Sequence, residues 1–420
     1  MNNLPLVRLV NLGLRGLTLL AKFSLLFVLA YFLDPMDVAL YGLVVATIAY
    51  SLFGLGFDFY SYSTRELLGS SSDQWARLLR DQSVFFGLVY ALVLPLLLLI
   101  FVFELLPWAV APWFFLLVIL EHLAQELNRL LVAMSRQLLA GVVLFMRSGI
   151  WAFVVAFMFW QSEGVRGIEL VFYAWAAGAS LACLLGFSAL YSLDRRCLKS
   201  TIDWQWIKKG VKVALPLLIA TLAIRAVFTV DRYWVESVSG SEILAAYVLF
   251  AGVANTVVAF LDAGVFVFLY PKIVSAYKEN DAVAFRGGML DLLKQTIVVA
   301  LLLCVSAAVL IHPILSLLQK EVYSQNVELL YFLLAGIFLF SISMVPHYGM
   351  YAMSKDRHIV AGHVLTLFVF LVAAAALGMV SPLYAVPLAL CISFAFMAVY
   401  KTVAYLHLKS RLIWGGKQGI

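Results

Sequence analysis

Residues 212–234, KVALPLLIATLAIRAVFTVDRYW, and residues 244–270, LAAYVLFAGVANTVVAFLDAGVFVFLY, are two long apolar runs separated by a short polar connector. Each run is long enough to cross the hydrocarbon core of a bilayer as a helix, which takes about 20 residues. Similar runs recur along the whole chain, in which 64% of the 420 residues are hydrophobic and 12% are charged. A water-soluble protein carries about twice that share of charged residues. The composition therefore indicates a membrane protein with many spans and no separate water-soluble domain.

Each of these apolar runs is predicted to be a helix, because backbone polar groups in a bilayer core must be satisfied within the segment itself. The pattern therefore predicts an all-α polytopic membrane protein with about twelve transmembrane helices, six in each half of the chain. The predicted limits are 9–33, 38–63, 82–105, 108–131, 138–160, 168–192, 212–234, 244–270, 292–318, 327–352, 359–380 and 383–408.

The connectors between the spans alternate between basic segments and segments nearly free of Lys and Arg. If the N-terminus is cytoplasmic, twenty Lys and Arg residues fall in cytoplasmic segments and only Arg166 and Lys320 fall on the other side. Cytoplasmic connectors of membrane proteins are enriched in basic residues. The sorting therefore predicts that both termini are cytoplasmic. The outer connectors are too short for an extracytoplasmic catalytic domain.

The most basic connector, from Asp194 to Lys212, follows the sixth span and marks the midpoint of the chain. We therefore expect two domains, an N-terminal six-helix lobe at residues 1–200 and a C-terminal six-helix lobe at residues 201–420.

The two halves also repeat weakly. Residues 39–65, ALYGLVVATIAYSLFGLGFDFYSYSTR, resemble residues 245–271, AAYVLFAGVANTVVAFLDAGVFVFLYP, with Tyr41 aligned to Tyr247. Because each half has six spans, both halves enter the membrane with the same orientation, which makes them parallel repeats. Duplication of this kind usually builds a cleft between two lobes, although any two apolar helices share some similarity.

Several cationic side chains fall within the predicted spans. A charge at mid-bilayer costs about 2.5–3.5 kcal/mol and therefore normally faces a partner or a water-filled cavity. In the first span, Arg8, Arg15 and Lys22 are spaced seven residues apart, so they share one stripe of the helix. Snorkelling to the interface is the alternative for residues near helix ends, which include Arg8 and Arg232. The candidate substrate-binding residues are Arg15, Lys22, Arg147, Arg225 and Arg232.

The deepest acidic residues are Asp58, Glu121 and Asp262, which we take as candidate ion-coupling residues. Counting depth from the cytoplasmic side places Glu121 near Arg147 on the next, antiparallel helix. That pair either neutralises two buried charges or keeps a carboxylate that exchanges protons in a cavity of low dielectric constant. Asp58, near the end of its span, has capping of its helix as the alternative role.

Motifs for enzymatic chemistry are missing from the sequence. It contains no GxxxxGK[ST] phosphate-binding loop, no HExxH and no GxSxG. The four cysteines are far apart, so no disulfide framework or metal site is expected, and His312, His347 and His363 are expected to be packed or hydrogen-bonded. The basic residues lie mainly at helix ends, which argues against nucleic acid. We therefore expect a protein without enzymatic activity or cofactor, driven by a substrate gradient, the membrane potential, or a gradient of H⁺ or Na⁺.

Residues 210–277 show a more specific pattern, with Ala-Leu-Pro at residues 214–216, Asp-Arg at residues 231–232 and Tyr247. The chain resembles the polysaccharide or O-antigen flippase family, within the larger superfamily of MATE-like transporters. The topology is similar over nearly the whole chain. The first half adds the short segments Arg15-Gly16-Leu17, Tyr41-Gly42 and Gly54 to Asp58.

The resemblance implies a MATE-like fold of two pseudo-symmetric six-helix bundles that works by alternating access. Its implied cargo is an undecaprenyl-pyrophosphate-linked oligosaccharide, moved from the cytoplasmic to the periplasmic leaflet of the bacterial cytoplasmic membrane. The expected partners are this anionic lipid-linked oligosaccharide and membrane lipids. Whether polysaccharide-assembly proteins also bind is left open, and the expected functional form is a monomer. Guanidinium and ammonium groups in a desolvated cleft would pair strongly with the pyrophosphate.

Three other functions remain alternatives. A multidrug exporter of the same fold would favour an acidic and aromatic cavity if its cargo were an organic cation. A lipid II exporter is a closer alternative, although the resemblance to such proteins implies helices beyond twelve. A membrane polysaccharide polymerase is disfavoured, since a long periplasmic loop is expected there.

Overall fold

The computed structural model describes residues 4–192 and 200–410, with side chains described for residues 10–191 and 200–410. These described residues form helices and no strand. Within them, eleven helical stretches are long and apolar enough to cross a membrane. The predicted all-α, multi-pass membrane architecture is thereby confirmed.

The first half of the chain contains nine α-helices among its described residues, and a π-helical segment, Met146–Ile150, joins the seventh to the eighth. In chain order they are α1 (Leu4–Phe32), α2 (Pro35–Gly56), α3 (Tyr60–Gly69), α4 (Trp75–Leu97), α5 (Leu99–Val102), α6 (Ala111–Ala133), α7 (Gln137–Phe145), α8 (Trp151–Gln161) and α9 (Ile168–Ser188).

The second half is built from longer helices, and a second π-helical segment, Asp262–Phe266, follows the first of them. The helices are α10 (Trp204–Leu261), α11 (Val267–Lys278), α12 (Ala282–Leu318), α13 (Glu321–Gln325), α14 (Glu328–Ala352), α15 (Asp356–Gly378) and α16 (Pro382–Ser410).

The helix α10 is two helices that meet at Gly240. This residue has φ 82° and ψ 171°, which are not helical values. A positive φ of this kind is readily adopted by glycine because it has no Cβ atom. The predicted spans 212–234 and 244–270 lie on either side of Gly240. Counting these two arms separately, the eleven stretches of the described residues give the twelve predicted spans.

The second span is shorter than predicted. It ends at Gly56 rather than at residue 63, because Phe57 and Asp58 adopt left-handed conformations with φ 52° and 49°. The chain resumes as a separate helix, α3, whose residues are more polar. Asp58 was expected inside this span, and it instead lies just beyond the helix end.

Two other helices begin earlier than predicted. The third predicted span began at residue 82, whereas α4 begins at Trp75. The ninth began at residue 292, whereas α12 begins at Ala282, where the carboxylate of Asp281 caps the helix by accepting a hydrogen bond from Ala284 N at 2.8 Å. Hydropathy identifies only the apolar part of a helix, so polar first turns are missed.

The chain divides into two compact units, Met1–Leu222 and Ala223–Ile420. This division lies later than the predicted boundary between residues 200 and 201, because the start of α10 packs into the first unit. The ring of Trp206 lies 5.4 Å from that of Phe59 and 5.3 Å from that of Tyr62, between centroids. Residues 193–199, which form much of the basic connector, lie outside the described residues.

The packing of each unit positions its polar side chains. In the first unit, α6 packs on α2 and α9, while α1 packs on α7 and α8; in the second unit, α14 and α15 both pack on α16. Large apolar side chains remain exposed on the helices of both units, including Trp160 (76%) on α8 and Leu317 (71%) on α12. Such surfaces are unfavourable in water and are compatible with lipid.

Candidate functional site

A buried ion pair lies inside the first unit. Arg147 Nε is 2.6 Å from Glu121 Oε2, and the two side chains are only 13% and 7% exposed. Trp175 Nε1 donates a hydrogen bond to the other carboxylate oxygen, Glu121 Oε1, at 2.7 Å. The proximity of Glu121 and Arg147 that depth counting predicted is confirmed by this contact, while their functional role stays a prediction.

Aromatic side chains surround this ion pair. The indoles of Trp151 and Trp175 stack with centroids 5.7 Å apart and planes inclined by 12°, and the ring of Tyr41 lies 6.5 Å from that of Trp175. All three are nearly buried. Sequence reasoning missed Trp175. The sequence feature that could have indicated Trp175 is a tryptophan, whose indole N–H donates a hydrogen bond, in the middle of an apolar span.

Lys22 gives this cluster a net positive charge. Its side chain lies on the exposed surface of α1, and it interacts electrostatically with both Arg147 and Glu121. The cluster therefore combines two cations with one carboxylate. Arg15, two helical turns earlier on α1, is also exposed. Arg8, the third member of the predicted stripe, has its side chain outside the described residues.

Two of the predicted site residues lie in π-helical segments. Arg147 belongs to Met146–Ile150 in the first unit, and Asp262 begins Asp262–Phe266 in the second. Such segments insert one residue into a helical turn and occur frequently at functional sites. Sequence analysis did not predict them, although each segment contains a glycine, Gly149 in the first and Gly264 in the second.

The second unit holds a different cationic arrangement. Arg232 pairs with Asp231 at 3.1 Å and also donates to the carbonyl oxygen of Phe228, and Tyr247 OH donates to Asp231 Oδ2 at 2.6 Å. The charge of Arg232 is therefore balanced locally. Arg225 and Asp262 are both exposed on this unit and interact electrostatically with each other.

The aligned positions of the two predicted repeats differ in local structure. Tyr41 and Tyr247 are both buried, at 7% and 0% exposure. Asp58, however, follows a left-handed helix end, whereas Asp262 lies in a π-turn. Of the three candidate ion-coupling residues, Asp58 and Glu121 belong to the first unit and Asp262 belongs to the second.

Asp58 interacts electrostatically with Glu126, which lines a cavity of about 290 Å³ in the first unit. Its Oδ2 atom is buried without a hydrogen-bond partner in the described residues, and its side chain caps neither α2 nor α3. On α6, Glu126 pairs with Arg129, whose guanidinium lies 3.7 Å from the ring centroid of Tyr60. Polar side chains that line the cavity include Tyr60, Gln82, Tyr90, His122, Glu126 and Arg129.

Comparisons with known proteins agree on the fold. No protein-family model and no curated protein sequence matches the chain. A solved inward-facing structure of a multidrug resistance MATE family transporter of the MOP superfamily matches with a TM-score of 0.78 and 13% identity, covering 96% of this chain and 99% of that one. An outward-facing structure of a multidrug resistance MATE family transporter matches with a TM-score of 0.62, 14% identity and 96% coverage of both chains.

A third solved structure is a MOP superfamily transporter from Pyrococcus furiosus, described as having a binding pocket of reverse polarity that suggests a different function. It matches with a TM-score of 0.63 and 13% identity, covering 97% of this chain and 95% of that one. At such identities the similarity concerns the fold. The predicted MATE-like fold is confirmed, and the proteins that share it are transporters rather than enzymes.

Proposed function

We propose that this protein is a flippase that moves an anionic, pyrophosphate-linked lipid oligosaccharide across a bacterial cytoplasmic membrane. The cargo is an undecaprenyl-linked repeat unit of a surface polysaccharide such as O-antigen. The protein acts as a monomer with both termini in the cytoplasm, without enzymatic chemistry of its own.

The observation that carries this proposal is the net positive charge of the Glu121, Arg147 and Lys22 cluster. A cation exposed at mid-span is expensive in contact with lipid, so Lys22 and Arg15 are best accounted for by a water-filled path along α1. Pyrophosphate is strongly bound by cations in a desolvated setting. Arg225, which interacts electrostatically with Asp262, adds a cation to the second unit. Arg147 and Arg232 are each paired with a carboxylate and set the local charge.

Alternating access is supported by the fold. Transporters with this fold have been solved in inward-facing and outward-facing conformations. In such a cycle, the polar headgroup crosses along the cationic side chains while its lipid tail stays in the bilayer. The fold is not restricted to multidrug exporters, since the transporter from Pyrococcus furiosus is described as having a binding pocket whose reverse polarity suggests a different function.

A multidrug exporter is the second candidate, because two of the solved relatives carry that name. The excess of cations over carboxylates in the first unit favours an anionic cargo over an organic cation.

The test of the cargo is transport of a labelled undecaprenyl-pyrophosphate oligosaccharide in proteoliposomes. Arg15→Ala, Lys22→Ala and Arg225→Ala are each expected to lower the initial rate by about tenfold or more, since hydrogen bonds to charged groups contribute about 1.5–3 kcal/mol. Arg357→Ala, which removes an exposed cation at the start of α15, should transport at the wild-type rate. Wild-type rates in all three site variants at normal protein levels would contradict the proposal.

We also propose that the transport cycle is coupled to H⁺ or Na⁺ through acidic side chains. Asp58→Asn and Asp262→Asn are expected to reduce the acceleration that an imposed pH or Na⁺ gradient gives, since an amide cannot change its charge. Asp73→Asn, at an exposed turn before α4, is the matched control. The same assay measures the ratio of rates with and without the gradient, and identical ratios in all four proteins would count against coupling at these residues.

A further inference from the structure

Three nitrogen-bearing side chains meet inside the second unit, one each on α14, α15 and α16. Lys401 Nζ lies 3.1 Å from His363 Nε2 and 3.5 Å from His347 Nδ1. The two imidazole rings stack with centroids 5.7 Å apart and planes inclined by 10°. From sequence, His347 and His363 were expected only to be packed or hydrogen-bonded, and Lys401 was not singled out. We refer to these three residues as the Lys–His–His cluster.

Lys401 has no anionic partner among the described residues. It is 0% exposed, and none of their ion pairs includes it. The acidic residues of the three helices are Glu328 and Asp356, which are the first residues of α14 and α15. Asp356 is seven residues from His363, a rise of about 10 Å along the helix. A buried ammonium group without a counter-charge is costly, so a permanent positive charge here has no structural compensation.

The surrounding titratable groups are mainly tyrosines, and the carboxylate of Asp262 acts on one of them, Tyr348, without forming an ion pair with Lys401. The ring of Tyr348 meets that of His347 edge-on at 5.6 Å, and Tyr270 of α11 stacks on Tyr348. The helix α12, which packs on α14, contributes Arg286, whose charge acts on Tyr405. The titratable and charged groups around the cluster, on its own and the neighbouring helices, are Asp262, Tyr270, Arg286, Tyr348, Tyr400 and Tyr405.

The hydrogen bonds of the cluster are compatible with two charge states. A lysine ammonium has three N–H donors, and the neutral amine has two. Each neutral imidazole has one ring nitrogen that accepts a hydrogen bond. The amine therefore keeps an N–H for His363 Nε2 and another for His347 Nδ1 after it loses its proton, although the second contact is long. Loss of the proton removes a charge without leaving either ring nitrogen unpaired.

The cluster also has a route for exchange. His363 and Lys401 are buried, whereas His347 is partly exposed. His347 is therefore the member of the cluster through which a proton can reach Lys401.

We propose that Lys401, His347 and His363 form a proton-binding site in the second unit. Its ligand is a single proton, and its net charge alternates between zero and one positive charge. In the transport cycle proposed above, this cluster would be a nitrogen-based site for proton coupling in addition to the acidic residues. That last step rests on the proposed function, whereas proton binding does not.

The test is NMR spectroscopy of the full-length protein in lipid nanodiscs, with lysine side chains labelled with ¹³C at Cε. Ordinary lysines stay charged between about pH 5 and pH 9, so their Cε resonances should not move. We expect one resonance to shift within this range. This resonance should be absent from the spectra of Lys401→Met and Lys401→Gln, and either variant is enough to assign it. The control is Lys22→Met, which removes another lysine within a span and should keep the resonance.

His363→Gln and His347→Gln are expected to move the transition to a different pH, because each removes one ring from the site. A Lys401 resonance that stays constant over the whole range would overturn the proposal. So would a transition that keeps the same pH in both histidine variants, since the rings would then take no part. The measurement needs no cargo, so its outcome and that of the transport assay are independent.

Discussion

Glu121→Ala is expected to lower the free energy of unfolding by about 3–5 kcal/mol, because it leaves a buried charge without its partner. Arg147 then has no counter-charge, Lys22 adds a second positive charge nearby, and the indole N–H of Trp175 loses its acceptor. Denaturant unfolding of the purified protein in bicelles measures the loss.

The double variant Glu121→Leu with Arg147→Met should recover most of this loss, since replacing a buried ion pair by apolar residues is often neutral or stabilising. The matched control is the ion pair of Glu163 and Arg166, which are 3.0 Å apart and have side chains 87% and 27% exposed. Glu163→Ala should change the free energy of unfolding by less than about 1 kcal/mol. Equal losses in Glu121→Ala and Glu163→Ala would show that the buried pair has no special role in stability.

Gly178→Ala should destabilise the protein by about 1–3 kcal/mol through overpacking. A Cβ atom at this position of α9 would lie 2.7 Å from the carbonyl oxygen of Met146 and 2.8 Å from Trp151 Cδ1. Met146 begins the π-helical segment that holds Arg147, so the backbone has to shift at the point that positions the ion pair. We therefore also expect a lower transport rate from this variant, measured in the same proteoliposomes.

Gly87→Ala is the control, and it is expected to raise the free energy of unfolding rather than lower it. Nothing lies within 4 Å of a Cβ atom at Gly87, which is in the middle of α4. Alanine should stabilise the helix there by up to about 1 kcal/mol. If Gly178→Ala unfolds at the same denaturant concentration as wild type, the close approach of α9 to the π-helical segment is not a constraint on the fold.

Part of the candidate site was accessible from sequence because depth in a bilayer is a one-dimensional quantity. Glu121 and Arg147 lie on adjacent antiparallel helices, so counting residues from a common interface placed them at the same level. The same reasoning did not reach Trp175 or Lys401. Their contacts join α9 to α6 and α16 to α14 and α15, and which helices become neighbours depends on packing rather than on depth.

The helical class, the number of spans and the charged residues within them were predictable from the amino-acid sequence alone. These features follow from the hydrophobicity and the length of each segment. Both are local properties, because an apolar segment in a bilayer satisfies its own backbone hydrogen bonds by forming a helix. Four features became visible only in the folded protein: the end of α2 at Gly56, the start of α10 inside the first unit, the π-turns at Arg147 and Asp262, and the contact of Lys401 with two histidines. Those features arise from side chains that are distant in sequence and pack against each other, and no local pattern specifies such contacts.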